Sequence, residues 1–187
     1  MAGAGRNPSA SVSSGAEADG AYDAVVARAK ALIPRLRDRA SKTEELRRLP
    51  PETVRDLHES GLFRILQPKR VGGAELDYVA LIDCADVIGQ ADASVAWNFA
   101  NLASHHWMLG MFHKRAQDMV WNKDVNALIA SSFIFPAGRA RKVDRGYVLR
   151  GSWPFSSGVE ACGWNMLARY ASSGSASSAG IADRSRT

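Results

Sequence analysis

Gly151-Ser152-Trp153-Pro154-Phe155-Ser156-Ser157-Gly158 is the stretch that decides the fold of this chain. It follows a strand-like run, and Pro154 turns the chain because proline fixes φ and has no backbone N–H. Trp153 and Phe155, on either side of the proline, can form the walls of a site for a flat apolar ligand. The same residues also fit a strand–turn–strand corner whose aromatic rings pack in the core, the ordinary use of aromatic side chains.

Two hydroxyl groups follow the aromatic pair. Ser156 and Ser157 can hydrogen-bond the polar edge of a ligand, and Gly158 lets the backbone come close to it. The segment does not have the GxSxG spacing of a hydrolase elbow, and no evident Asp–His set accompanies it. The serines therefore do not suggest a hydrolase.

The motif Trp-Pro-Phe-Ser-Ser-Gly resembles the flavin edge of two-component flavin-dependent monooxygenases, which are aromatic hydroxylases of the 4-hydroxyphenylacetate type. These proteins are built on the acyl-CoA dehydrogenase fold. The similarity extends over residues 30–170 in the family's order, through Leu49-Pro50-Pro51-Glu52, Gly61-Leu62-Phe63 and Val71-Gly72-Gly73. The resemblance implies an α+β protein: an all-helical N-terminal domain, then the start of an antiparallel β-barrel-like domain, with the family's C-terminal helical bundle missing.

Composition and periodicity divide the chain into four segments. Residues 1–20 bury too little apolar surface to offset their ordering entropy, which predicts a disordered leader. Helical spacing in residues 21–126 predicts the helical domain, and strand patterns in residues 127–170 predict the partial β domain. Residues 171–187, rich in Ala, Ser, Gly and finally Arg, predict a disordered tail that looks like a truncation or a shifted reading frame.

The helix predicted over residues 93–112 carries the candidate substrate residues. At about 100° per residue, His106 falls in the apolar stripe and is predicted to be structural. Trp97, Asn101 and His105 gather on roughly the opposite side. That side fits either plain solvent or a ligand wall, and a tryptophan beside Asn and His favours the ligand wall.

The resemblance implies roles for these residues. Trp97 is expected to form a wall of the phenol pocket, Asn101 to share its face, and His105 to be the catalytic group that faces the substrate. Ser131, on the first predicted strand, matches the family position that meets the substrate hydroxyl. A strand serine more often serves packing, so that reading stays open for Ser131.

The resemblance also implies a cofactor. Reduced flavin, either FMN or FAD, would react with molecular oxygen as co-substrate, and the resulting C4a-hydroperoxide would hydroxylate an aromatic ring. Ser156 and Ser157 are expected at the N5 edge of the flavin, with Trp153 and Phe155 shaping the wall. His105 would favour the phenolate as base or hydrogen-bond partner. A separate NAD(P)H–flavin reductase, a small aromatic substrate and a homotetrameric full-length form are the expected partners.

Two alternatives remain. One is an acyl-CoA dehydrogenase, which typically has Thr-Glu-Pro…Gly-Ser-Asp where this chain has Ser131-Ser132-Phe133-Ile134-Phe135-Pro136-Ala137-Gly138. That difference argues against it, and a catalytic Glu in the downstream bundle would argue for it. The other is a truncated remnant without activity, which binds flavin weakly or only associates with partners.

Other protein classes are disfavoured. The chain has 187 residues, a net charge of +5, and basic residues interleaved with acids, which does not make a nucleic-acid stripe. Cys84 and Cys162 stand far apart, which argues against disulfides or zinc and fits a reducing cytoplasm. The closely spaced histidines do not form a convincing metal set, and no apolar run is long enough to predict a membrane span.

Overall fold

In a computed structural model, the structure describes residues 9–144, 146–171 and 177–183. Helices occupy the first two thirds of this part, and strands occupy the last third. The α-helices are α1 Ser9–Asp38, α2 Ala40–Leu46, α3 Pro51–Glu59, α4 Tyr78–Gly89, α5 Ala93–Gly110 and α6 Lys114–Trp121. The strands are β1 Ile129–Ser132, β2 Gly138–Val143, β3 Gly146–Gly151, β4 Trp164–Ala171 and β5 Ser177–Asp183. Short 3-10 turns connect several of them, at Leu62–Arg64, Lys69–Val71, Phe135–Ala137 and Val159–Ala161.

Side-chain caps set where the helices around the candidate site begin. The carboxylate of Asp77 accepts a hydrogen bond from the backbone N–H of Val79 at 3.1 Å and so caps α4. Asp92 caps α5 in the same way by accepting from Ser94 at 2.8 Å. These caps satisfy N–H groups that have no partner inside the helix, and they fix the start of the two helices.

Pro34 lies inside α1 without dividing it. It lies close to the C-terminal end of α1, where one lost backbone hydrogen bond affects few turns. Leu32 and Leu36 on either side of it are buried in the core. Their packing outweighs the local cost of the proline.

Two apolar clusters hold the described residues together. The larger one joins α1, α4 and α5 around fully buried Phe63, Phe99 and Leu102. The smaller one joins the end of α5 and α6 to the sheet, through Trp121, Met166 and their neighbours. α5 contributes to both clusters, and it therefore fixes the position of the sheet relative to the helices.

The sheet is mixed, so the predicted antiparallel character is wrong for its central strand. β4 pairs in parallel with β1 (Ile129↔Trp164) and with β2 (Arg139↔Tyr170), and antiparallel with β5. Only the β2–β3 hairpin and the β4–β5 pair are antiparallel. Parallel pairing requires a long crossover, which the hairpin and the corner after it provide between β1 and β4. The described strands form an open sheet, not a closed barrel.

The structure also differs from the predicted disorder at both ends. Residues 9–20 belong to α1, because a helix that is already nucleated downstream can be extended one residue at a time. Residues 177–183 form β5, which is held by backbone pairing with β4 and so needs no apolar period. The rest of the two predicted disordered segments lies outside the described residues. The division at residues 126 and 127 falls between α6 and β1 and stays a prediction.

Candidate functional site

Trp153 fixes the corner, by which we mean residues 151–158 after β3, to the sheet. Its ring lies over Gly138 and Gly151, which face each other across β2 and β3. A Cβ on Gly138 would lie 2.1 Å from Cζ2 of Trp153, so only glycine fits beneath the ring. The indole Nε1 donates to the carbonyl of Ala168 at 2.7 Å. These contacts give Trp153 a packing role, and its expected place in a flavin wall stays a prediction.

Phe155 is held differently. Its backbone has φ 57°, in the left-handed region that bulky residues rarely adopt. Its side chain is 88% exposed. Together with Ser156 and Ser157, it lines an open cleft of about 300 Å³. An exposed aromatic ring and two hydroxyls at one cleft are groups that a flat, polar-edged ligand can use.

Two side chains from other elements contact the serines. The indole Nε1 of Trp97, on α5, donates to the hydroxyl of Ser157 at 3.0 Å. The amide Nδ2 of Asn165, on β4, lies 3.4 Å from the hydroxyl of Ser156. The structure thus brings Trp97, a predicted substrate residue, to Ser157, a predicted cofactor residue. Sequence reasoning missed Asn165, because an asparagine inside a strand pattern gives no signal of its own.

His105 is buried, with only 4% of its surface exposed. Of the two readings of its side of α5, plain solvent therefore does not apply to His105, and its expected place facing the substrate stays a prediction. Its Nδ1 lies 2.6 Å from the carbonyl oxygen of Ile129, and its Nε2 lies 2.9 Å from the hydroxyl of Ser131. The reason is tertiary: β1 packs its free edge against α5 and covers a face that an isolated helix would leave open.

The hydrogen bonds of His105 determine which of its ring nitrogens carries the proton. A carbonyl oxygen only accepts, so Nδ1 carries the hydrogen and donates it to Ile129. Nε2 is then the acceptor, and Ser131 donates to it. Burial lowers the pKa of His105, and the hydrogen bond to the Ile129 carbonyl opposes that shift in part. The ring is therefore a neutral base whose Nε2 lone pair accepts from half-buried Ser131.

His106 is in the core, as predicted. It is fully buried and stacks on Trp121 with ring centroids 6.2 Å apart. Its Nδ1 accepts from the indole of Trp121 at 3.4 Å. Burial lowers the pKa of His106 to about 3. This histidine is neutral near neutral pH and serves packing.

The candidate residues form two groups in the described part of the chain. His105 and Ser131 form one, while Trp97 and Ser157 form the other, and none of the hydrogen bonds described joins them. Asn101 belongs beside Trp97, because its Nδ2 donates to the Trp97 carbonyl at 2.8 Å. A link does exist between their elements: the hydroxyl of Ser132, next to Ser131 on β1, donates to the carbonyl of Pro154 at 2.8 Å.

Within residues 9–144, 146–171 and 177–183, no three His, Cys, Asp or Glu side chains come together as metal ligands. None of the helices in these ranges is both long and apolar enough to cross a membrane.

Comparison with known sequences gives consistent matches. Residues 23–122 match the family model of the acyl-CoA dehydrogenase N-terminal domain. The chain is 39% identical over 140 residues to the oxygenase subunit HsaA of a flavin-dependent monooxygenase from Rhodococcus jostii (strain RHA1), covering 75% of this chain and 36% of that protein. It is 38% identical over 129 residues to the oxygenase component of p-hydroxyphenylacetate 3-hydroxylase from Acinetobacter baumannii, covering 69% of this chain and 30% of that protein.

Solved structures match over most of the chain. The crystal structure of the HsaA monooxygenase from M. tuberculosis matches with a TM-score of 0.83 at 34% identity, covering 88% of this chain and 44% of that one. XiaF from Streptomyces, in complex with FADH2 and glycerol, matches with a TM-score of 0.83 at 27% identity, covering 90% and 43%. The chain spans about a third of the length of the curated relatives it matches.

Proposed function

Because the chain belongs to the acyl-CoA dehydrogenase family, we propose that it forms part of the oxygenase component of a two-component flavin-dependent aromatic hydroxylase. Two of its relatives are named as oxygenase components or subunits of such monooxygenases. The proposed substrate is a small phenol, the proposed cofactor is reduced FMN or FAD, and oxygen is the co-substrate. A separate flavin reductase would supply the reduced flavin, and the full-length protein would assemble as a homotetramer.

The hydrogen-bonded pair of His105 and Ser131 is the observation that carries the proposal. A phenol whose hydroxyl replaces the Ser131 hydroxyl as the donor would meet Nε2 of His105, a neutral base. Nε2 would take the phenolic proton and leave an electron-rich phenolate ring. The carbonyl of Ile129 would hold the imidazolium that forms, because it already accepts from Nδ1 at 2.6 Å.

The corner residues fit a flavin. Bound reduced flavin would supply the activated oxygen for the hydroxylation. Ser156 and Ser157 offer hydroxyl groups for its polar edge, and Phe155 offers an exposed ring beside them. Trp97 fixes the position of Ser157 through its indole N–H. An apolar wall at this edge would keep water away from the reacting atoms.

The test replaces His105 by asparagine. Asparagine can still donate to the Ile129 carbonyl, but it has no basic nitrogen toward Ser131. With chemically reduced flavin, oxygen and a panel of phenols, His105→Asn should lower product formation by about 10²–10⁴-fold. The same variant should fail to ionise a bound nitrophenol, which is visible as loss of the phenolate absorbance. The matched control is His113→Asn, a histidine at the start of α6 that lies outside the proposed site.

Two results would contradict the proposal. Wild-type product formation by His105→Asn, with oxygen use equally coupled to product, would remove the phenol-activating role. Bound nitrophenol with the same absorbance in the wild type and in His105→Asn would do so without turnover. His105→Ala is the weaker variant, because it leaves the buried Ile129 carbonyl without its donor and lowers stability as well.

A further inference from the structure

The cleft beside the corner has a basic side. Its lining combines Phe155, Ser156 and Ser157 with two arginines, Arg47 and Arg48. Both arginines lie at the end of α2, and both are exposed. Its volume of about 300 Å³ lies at the lower end of the range for ligand sites. Aromatic, hydroxyl and cationic groups therefore share one cavity.

Three cations earlier in the chain form ion pairs with carboxylates. Arg35 and Arg39 both form ion pairs with Asp56, and Lys42 forms one with Glu52. Within the described residues, neither Arg47 nor Arg48 forms an ion pair with a carboxylate. Glu160 also lines the cleft, so its side chains carry two positive charges and one negative charge.

Backbone strain is concentrated at the same cleft. Three non-glycine residues of the described chain have positive φ, namely Arg47 at 54°, Phe155 at 57° and Glu75 at 50°. Two of these three, Arg47 and Phe155, line the cleft. Such conformations cost free energy and persist at ligand clamps because the surrounding structure imposes them.

A close backbone contact explains how the cleft is kept in shape. Gly158 has φ 72°, and a Cβ there would lie 2.9 Å from Oδ1 of Asn98 on α5. Glycine thus lets the corner approach α5 closely and face the end of α2. The cavity is consequently formed by three separate parts of the chain.

We propose that Arg47 and Arg48 bind the phosphate of the flavin nucleotide whose ring edge meets Ser156 and Ser157. This inference rests on the proposed function. Guanidinium groups bind phosphate through charge-assisted hydrogen bonds. The phosphate belongs to the flavin and not to the substrate, because the proposed substrate residues His105 and Ser131 do not line this cleft.

The experiment compares reduced FMN with reduced riboflavin, which has no phosphate, in anaerobic calorimetry on the whole chain. The wild type should bind FMN at least about tenfold more tightly, as expected for charge-assisted hydrogen bonds. Arg47→Ala/Arg48→Ala should bring the affinity for FMN down to that for riboflavin and leave riboflavin unchanged. Inorganic phosphate should compete with FMN in the wild type and not in the variant.

The control is Arg141→Ala/Arg150→Ala, which removes the same charge from the β2–β3 hairpin and should leave both affinities unchanged. Equal affinity of the wild type for FMN and riboflavin overturns the phosphate site and leaves the flavin-edge role of the serines standing. An equal loss of FMN affinity in the control overturns the phosphate site too, since the loss would then come from the change in overall charge. Ser156→Ala/Ser157→Ala should weaken both flavins alike. Binding of neither flavin by the wild type overturns the phosphate site and the proposed flavin site together.

Discussion

His106 makes the stability of the protein depend on pH. Its pKa is lowered to about 3 in the folded state, while a histidine in the unfolded chain titrates near its ordinary value of about 6.5. Above that value both states are neutral and the full stability is present. As the pH falls, the unfolded state takes up the proton first. Stability is therefore lost between about pH 6.5 and about pH 3.

His106→Gln should remove this part of the pH dependence. Glutamine can still accept from the indole of Trp121, but it does not titrate. We expect the wild type to lose about 1.4 kcal/mol per pH unit more than the variant below pH 6. Urea unfolding at several pH values between 4 and 7 measures the difference. The pKa of His105 is also lowered, and it adds to the pH dependence of stability in the same way in both proteins. Equal slopes of stability against pH in the two proteins would therefore contradict the prediction.

Phe155 predicts a conflict between stability and binding. Phe155→Gly removes both the ring and the steric cost of its left-handed backbone, and it should raise the free energy of unfolding by up to about 1 kcal/mol. Phe155→Ala removes the ring and keeps the Cβ, so it should bring no such gain. Both variants should bind flavin more weakly than the wild type. A stability gain for Phe155→Ala equal to that for Phe155→Gly would mean that the backbone is not strained.

At the scale of single residues, the sequence predicts what a side chain can do better than it predicts where the side chain lies. The local pattern alone predicts that Ser156 and Ser157 can hydrogen-bond a ligand and that His106 lies in the core. The burial of His105 does not, because it depends on β1, whose packing against α5 no helical period encodes. The resemblance implies that His105 and Ser131 each meet the substrate, but it does not predict the hydrogen bond between them, which depends on the fold.

At the scale of elements, the contact between Trp153 and the β2–β3 hairpin is sensitive to a single methyl group. Gly138→Ala places a Cβ within 2.1 Å of the Trp153 ring. Either the ring or the strand must move, and we expect a loss of about 1–3 kcal/mol in stability. Gly163→Ala is the matched control, since a Cβ there meets no heavy atom within 4 Å. Thermal unfolding of both variants checks this, and equal melting temperatures would contradict it.

Helices were the predictable elements and strand partners were not. Capping residues and apolar spacing are local, so α4 and α5 begin where the sequence indicates. Strand pairing depends on distant segments: β4 lies parallel to β1 because the intervening chain crosses over. The sequence of β5 has no apolar pattern that predicts a strand, and β5 is held by its backbone pairing with β4.

At the scale of the whole molecule, the outer surface of α4 and α5 is apolar and open. Tyr78, Ile82, Trp97 and Trp107 are all exposed there, and a groove of about 360 Å³ runs between the two helices. Faces of this kind associate with other surfaces. We therefore expect the isolated chain to self-associate.

Ile82→Glu should reduce this association without changing the fold, because the Ile82 side chain is 58% exposed and loses little burial. Sedimentation velocity over a range of concentrations gives the measurement. Val125→Glu, which alters an exposed apolar residue outside these helices, is the control. A wild type that stays monomeric at every concentration would contradict the expectation.

The three partners of β4 impose an order on folding while the chain is being synthesised at the ribosome. The β2–β3 hairpin can form as soon as Gly151 has emerged, since its pairing is local. β1 has no strand partner at that time, because it pairs with Trp164–Leu167, and the end of β2 waits for Tyr170. The nascent chain thus carries finished helices and an isolated hairpin until β4 leaves the exit tunnel. During that interval, the edge of β1 is the part of the sheet that a chaperone would have to shield.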